Sequence, residues 1–183
     1  VPSTVKSIEY GAMYGAYGMA NITLPEGLET IGTSAFSCSG ITSLHIPASV
    51  TTIEDGFLTY ADKLKEVTVA EGNANYTVKN GMLLTKDLTE LLEIPSLLDS
   101  YEIPETVTCI YYGAADCLNT NSIVIPDGVK ILDEWAFVSN DALETVVVGS
   151  SVETWGDGAF YNCKNLKSIY LRSEKVVTPE GEP

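Results

Sequence analysis

Apolar residues followed by proline recur along the chain at a nearly constant interval. They stand 22 or 23 residues apart, with one longer gap of 57 residues between Ile46 and Ile103, and a degenerate copy begins at Val148-Gly149. A period in this range indicates a repeat architecture, and the long gap leaves room for an irregular element. The complete copies are Val1-Pro2, Leu24-Pro25, Ile46-Pro47, Ile103-Pro104 and Ile125-Pro126.

Other positions fall into the same register. Apolar residues stand four and seven positions after each anchor, as at Val50 and Ile53, and a small-then-large pair such as Ala35-Phe36 follows. Each unit closes with alternating residues such as Leu44-His45-Ile46, which predicts a strand with one buried face. The Val-x-x-Ile segment predicts a second side of the coil, and the small-then-large pair predicts a short helical turn.

A unit of this length is too small to bury its own apolar positions, so successive coils must stack and share a core. We therefore predict an α/β or mostly-β repeat fold, a curved solenoid with one strand sheet face and short helical or irregular turns on the other side. The predicted solenoid is a single domain at 1–171, and residues 172–183 are predicted to form a polar tail or linker. Its coils start near residues 1, 24, 46, 103, 125 and 148, with an irregular unit at 70–102.

The repeat unit resembles the BspA-like leucine-rich repeat, most clearly in residues 46–69 and 152–171. The irregular stretch is similar to the β-hairpin insertion common in that family, and Asn80-Gly81 and Lys86-Asp87 suit its turns. The resemblance implies a bacterial protein that is secreted or anchored at the cell surface. Several relatives adhere to host extracellular proteins such as fibronectin and fibrinogen, and the family has no shared catalytic residues to transfer.

Two hypotheses about function follow. The leading one is a non-catalytic binding module for cell-surface adhesion or protein–protein interaction with host or extracellular ligands. The alternative is a structural spacer that holds another domain away from the cell surface. Because the chain begins at Val1 without an initiator Met or a signal peptide, we expect either that a targeting segment was removed or that the sequence is a fragment.

The net charge is strongly negative and narrows the range of partners. The chain has 10 basic and 25 acidic residues, for a formal net charge of -15. Such a field repels nucleic-acid phosphates and anionic lipid head groups, so neither nucleic acid nor a membrane is an expected partner. A basic protein patch or a divalent cation fits better, although the charge also serves solubility. No apolar segment has the composition of a membrane span.

Side chains that could carry chemistry are explained by their repeat positions, so neither an enzyme nor a cofactor is expected. Cys38, Cys117 and Cys163 each lie three residues before the closing strand pattern, at a position that other coils fill with Ala or Asn, and Cys109 lacks CxxC spacing. We expect four free structural cysteines. His45 lies at an outward strand position without a motif such as G-x-S-x-G. Carboxylates recur after the Val-x-x-Ile segment but are too few per coil for a calcium site, and they predict a solvated edge.

The outward strand positions are the candidate ligand-binding face, since the sheet face of a curved repeat protein often serves recognition. One column of short polar or acidic residues runs through Asn21, Ser43, Glu66, Ser100, Ser122, Thr145 and Ser168. The second column begins at Thr23 and ends in an apolar exposed ladder, which is typical of a contact site. An exposed sheet face with no ligand would show much of the same pattern of short polar residues. The predicted binding residues are those of the second column: His45, Thr68, Glu102, Val124, Val147 and Tyr170.

Overall fold

The computed structural model describes residues 1–172, and this part of the chain forms a mostly-β solenoid of about seven turns. The predicted repeat fold is confirmed. Arg172, the first residue of the predicted tail, is exposed and forms an ion pair with Asp127, while residues 173–183 lie outside the described part. The strands are β1 (Ser7–Ile8), β2 (Thr30–Ile31), β3 (Ser43–Ile46), β4 (Thr52–Ile53), β5 (Glu66–Val69), β6 (Tyr76–Lys79), β7 (Met82–Thr85), β8 (Glu90–Glu93), β9 (Cys109–Ile110), β10 (Ser122–Ile125), β11 (Ile131–Leu132), β12 (Thr145–Val148), β13 (Thr154–Trp155) and β14 (Ser168–Leu171).

The Val-x-x-Ile segments form one side of the coil as stacks of two-residue strands. β1, β2 and β4 pair in parallel, as do β9, β11 and β13. The second residue of each short strand is buried except Trp155 of β13, which is 43% exposed in the last coil, and Ile31 is fully buried between its counterparts Ile8 and Ile53. Stacking thus gives each short strand the partners that its own coil cannot supply.

The closing patterns form the longer strands, and these divide into two separate parallel sheets, β3-β5 and β10-β12-β14. In β3, Leu44 and Ile46 are buried while Ser43 and His45 are exposed, as the alternation predicts. The column is interrupted at the irregular unit, where Ser100 and Glu102 lie in backbone that is not part of a strand. The expectation that these two residues belong to the strand columns was therefore wrong, as was the same expectation for Asn21 and Thr23 in the first coil, which also lie outside any strand.

The irregular unit contains the predicted hairpin, which is confirmed. β6 and β7 pair antiparallel around Asn80-Gly81, whose φ values of 51° and 78° suit a type I′ turn. β7 then pairs antiparallel with β8, and β8 joins the short-strand stack by pairing in parallel with β9. The chain therefore leaves the solenoid after β5 and returns to its register at β8.

The turns that contain the small-then-large pair are irregular, and residues 1–172 include no helix. Successive amides of a turn alternate between two kinds of acceptor. Phe36 N donates across to the next coil, to Phe57 O at 2.8 Å, and Ser37 N donates within its own turn, to Ser34 O at 3.2 Å. A helix would use both sets of amides within one coil. Each turn needs two left-handed residues four positions apart, at Gly11, Ser34, Gly56, Gly113, Trp135 and Gly158 and then at Gly15, Cys38, Tyr60, Cys117, Ser139 and Asn162.

The core consists of two apolar clusters that meet at the hairpin unit. Strand β7 contributes to both clusters, since Leu83 packs with the N-terminal coils whereas Met82 and Leu84 pack with the C-terminal coils. β8 divides in the same way, with Leu92 on the N-terminal side and Leu91 on the C-terminal side. These two strands therefore separate the two halves of the core.

Candidate binding surfaces

The N-terminal part of the strand face carries His45 and Thr68 side by side. The two residues are register partners on β3 and β5, and His45 Nδ1 lies 2.8 Å from Thr68 Oγ1, within hydrogen-bonding distance. Both are exposed. Within the described residues, Thr68 is the hydrogen-bond partner of the His45 ring.

The C-terminal part carries the predicted apolar ladder. Val124, Val147 and Tyr170 are register partners on three adjacent parallel strands. Val124 is 46% exposed and Tyr170 is 60% exposed, while Val147 between them is half-buried. The structure therefore brings three of the six predicted binding residues into one continuous row.

The hairpin unit lies between these two parts and creates a groove on each side. One groove of about 440 Å³ lies between β5 and the hairpin, and Thr68, Val78 and Leu98 line it. The other, of about 430 Å³, contains Glu102 and Val124 together with Asn80, whose Nδ2 donates to the Glu102 carbonyl at 2.9 Å. The predicted residues thus fall into two groups on either side of the hairpin. The hairpin residues that line these grooves were not predicted.

The cysteines are all free and half-buried, but they do not share one repeat position. Cys38 and Cys117 occupy the second left-handed position of their turns, whereas Cys163 lies one residue after it. The repeat pattern placed the three cysteines at one position because it was counted back from the closing strand. The segment between the turn and that strand is one residue shorter in the coils of Cys38 and Cys117 than in the coil of Cys163. Burial raises the pKa of Cys109 to about 11, and burial likewise raises the pKa of Cys117 and of Cys163.

The carboxylates after the short strands lie at the edge of the solenoid, as expected. The pKa of Glu54 is lowered because its carboxylate accepts hydrogen bonds from the amide and the hydroxyl of Thr33, both at 2.9 Å. The pKa of Asp55 is raised by partial burial and by the nearby carboxylates of Asp133 and Glu54. No group of three or more His, Cys, Asp or Glu residues within residues 1–172 is arranged to hold a metal ion.

Aromatic rings also project from this edge. Tyr112 stacks on Trp135 with ring centroids 6.1 Å apart, and Trp135 stacks on Tyr161 with centroids 5.8 Å apart. The sequence analysis missed this stack, although one signal was present in the repeat. Trp135 stands at the first left-handed position, which other coils fill with Gly or Ser.

Two carboxyl groups, those of Glu93 and Asp116, are buried next to the hairpin unit, where the regular stacking of the coils is interrupted. In other turns the second left-handed residue donates its amide to a carbonyl of the next coil, as Cys38 N does to Thr59 O at 2.9 Å. Tyr60 has no such carbonyl, and its amide donates instead to Asp116 Oδ2. Burial raises the pKa of Asp116 to about 7 and raises the pKa of Glu93, which the charge of Asp116 raises further.

Comparison with known proteins places these surfaces on a known architecture. A leucine-rich repeat protein from Eubacterium ventriosum matches with 29% identity and a TM-score of 0.85, over 94% of this chain and 47% of that protein. A leucine-rich cell surface protein from Faecalibacterium prausnitzii (24% identity, TM-score 0.61, 96% and 59% coverage) and the pneumococcal vaccine antigen PcpA (19%, 0.62, 96% and 56%) share the fold. The chain thus spans about half the length of these structures.

No curated protein sequence shows significant similarity to the chain. Within the described range, no helix has the length and apolar character that crossing a bilayer requires. Residues 1–96 and 93–179 match the BspA type leucine-rich repeat region, in six copies. The chain therefore belongs to the BspA-type leucine-rich repeat family.

Proposed function

We propose that this chain is a non-catalytic binding module, secreted or displayed at the cell surface, that holds a protein ligand against its exposed strand face. Membership of a leucine-rich repeat family is consistent with a binding or repeat module. The description of one solved relative as a cell surface protein supports the location. The residues proposed to contact the ligand are His45, Thr68, Val124, Val147 and Tyr170 on the strands, together with Glu102, which lines a groove with Val124.

The observation that carries the proposal is the apolar ladder Val124–Val147–Tyr170. Isolated exposed apolar residues are ordinary on protein surfaces, but three in register on adjacent strands form a contiguous patch. The parallel hydrogen bonds of β10, β12 and β14 fix the spacing of these side chains before any ligand arrives. A surface that is already ordered loses little conformational entropy on binding.

The experiment measures binding of the purified protein to immobilised host-matrix and cell-surface proteins, with fibronectin and fibrinogen as the first probes. Val124→Asp places a charge in the ladder, and Ile131→Asp is its matched control because Ile131 is 41% exposed on the short-strand side. We expect Val124→Asp to weaken binding at least tenfold, as loss of a central interface contact does, and Ile131→Asp to bind like the parent.

Two outcomes would contradict the proposal. Equal losses in both variants would mean that the strand face is not the binding surface. Absence of binding to every component of the panel would favour the structural spacer, whose function needs no ligand.

A further inference from the structure

The turn side of the solenoid combines aromatic rings with negative charge and contains no positive charge. We define the turn edge as residues 9–16, 32–39, 54–61, 111–118, 133–140 and 156–163, the segments that follow each short strand. None of these residues is Lys or Arg. The carboxylates that are exposed or half-buried along it are Glu9, Glu54, Asp55, Asp133, Glu134 and Asp157.

A recess of about 170 Å³ lies in the middle of the turn edge. Tyr14, Tyr60, Tyr112 and Trp135 contribute rings to it, and three hydroxyl residues line the remainder: Ser34, Ser37 and Thr59. The rings come from four different coils, which the stacking of the solenoid brings together. The recess therefore depends on the assembled fold and has no counterpart in a single repeat.

The polar atoms of the recess are set up to accept hydrogen bonds. Ser37 Oγ donates its proton to the Gly56 carbonyl at 2.7 Å, and Thr59 Oγ1 donates to the same carbonyl at 3.1 Å. Each hydroxyl has only one proton to donate, so its lone pairs remain as acceptors. A group that brings several N–H donors matches these oxygens.

The charge around the recess favours a cation. The pKa of the Tyr112 hydroxyl is raised by partial burial and then by the carboxylates of Glu134 and Asp55. Aromatic faces attract cations through their quadrupole, most strongly for Trp, and neighbouring carboxylates add to this attraction. The net charge of -15 draws basic partners towards the protein as a whole.

We propose that this recess receives a lysine or arginine side chain from a basic protein segment, which docks along the turn edge. The inference rests on the proposed binding function and adds a second contact surface, on the other side of the coil from the strand face. The acidic residues along the turn edge would contact further basic residues of the same segment. An ammonium or guanidinium group brings the N–H donors that the recess oxygens accept.

The test uses the full chain carrying Trp155→Phe, so that Trp135 is the only tryptophan and its fluorescence reports on the recess. Hexa-arginine is the probe, and hexa-citrulline is the uncharged control of nearly the same shape. Titrations are run in 0.15 M salt, where the screening length is about 8 Å and distant charges contribute little. We expect hexa-arginine to bind and change the Trp135 emission, and hexa-citrulline to do neither.

Trp135→Gly removes the central ring without changing the net charge. Glycine already occupies this left-handed position in four other coils, at Gly11, Gly56, Gly113 and Gly158, so this variant is expected to fold. By calorimetry we expect hexa-arginine to bind Trp135→Gly about tenfold more weakly, because the variant lacks one of the four aromatic residues of the recess and the ring on which Tyr112 stacks. Ile131→Ala, on the short-strand side and 41% exposed, should bind the peptide unchanged.

Equal affinity of the parent and Trp135→Gly for hexa-arginine would overturn the inference, because it would mean that net charge alone attracts the peptide. Binding of hexa-citrulline, or of a neutral oligosaccharide in place of hexa-arginine, would overturn it as well. The matrix-protein assay with Val124→Asp is independent of these titrations. The strand-face proposal can therefore stand where this inference fails, and the reverse is also true.

Discussion

Replacement of Asp116 by Asn is expected to change the stability of the protein in opposite directions at high and low pH. Asp116 is fully buried, and its Oδ2 accepts the amide of Tyr60 while its Oδ1 has no hydrogen-bond partner among residues 1–172. Asn keeps an acceptor for Tyr60 but cannot ionise. The substitution therefore removes the cost of a buried charge and adds an amide NH2 group that needs an acceptor.

The magnitude follows from the pKa, which burial raises from 3.8 to about 7. Between these values the unfolded chain loses the proton while the folded protein keeps it, so the free energy of unfolding falls as pH rises. The raised pKa of Asp116 lowers the free energy of unfolding of the parent by about 4 kcal/mol above pH 7, and this loss vanishes below pH 3.8. An unpaired amide N–H costs about 1–3 kcal/mol at any pH. Asp116→Asn should be about 2 kcal/mol more stable than the parent at pH 8 and less stable by a similar amount at pH 4.

The assay is urea unfolding of both proteins at pH 4, 6 and 8, followed by circular dichroism. Carboxyl groups away from Asp116, such as Glu54 and Asp87, titrate in both proteins and cancel in the difference. Glu93 does not cancel, because the charge of Asp116 raises its pKa, and loss of that charge adds to the gain of Asp116→Asn at high pH. Asp157→Asn is the control because Asp157 is exposed on the same edge, and its effect should stay within about 0.5 kcal/mol. A difference between the parent and Asp116→Asn that does not vary with pH would refute the reasoning.

Three further predictions concern the turns and the core. Asn140→Ala should lower the unfolding free energy by about 2–4 kcal/mol in urea titrations, because the buried amide makes three hydrogen bonds to backbone groups, and no loss would contradict this role. Gly81→Ala should cost about 1–3 kcal/mol in thermal unfolding, since the added Cβ would lie 2.8 Å from Leu98 Cδ2 at a φ of 78°. Cys109 should react slowly with Ellman's reagent at pH 8, where a pKa of about 11 leaves about 0.1% thiolate, and fast labelling of native protein would contradict that burial.

The periodicity of the sequence predicted the stacking because apolar burial recurs at equivalent positions of the inner coils. Ile31, Ile46 and Phe137 stand at three different repeat positions, and each is fully buried as its position indicates. The alternation within β3 likewise placed His45 outward. These features depend on contacts between equivalent positions of adjacent coils, which a regular pattern encodes directly.

The errors and omissions arise where one coil differs from its neighbours. Glu102 fitted the strand column by spacing, but the hairpin unit leaves its segment without strand pairing. Asp116 accepts the amide of Tyr60 in place of the backbone carbonyl that other turns use. A pattern of apolar and polar residues does not reveal that such a carbonyl is missing. The recess at Trp135 joins side chains from five coils, so no local window of the sequence shows it.

Strands β7 and β8 contribute side chains to both halves of the core, and this affects how the solenoid unfolds. In a regular repeat array each coil is stabilised only by its neighbours, so unfolding can begin at either end and spread. Here Leu83 and Leu92 belong to one apolar cluster while Leu84 and Leu91 belong to the other, on the same two strands. Loss of either half therefore exposes one face of the strands that hold the other half. The hairpin unit should couple the two halves into a single cooperative transition.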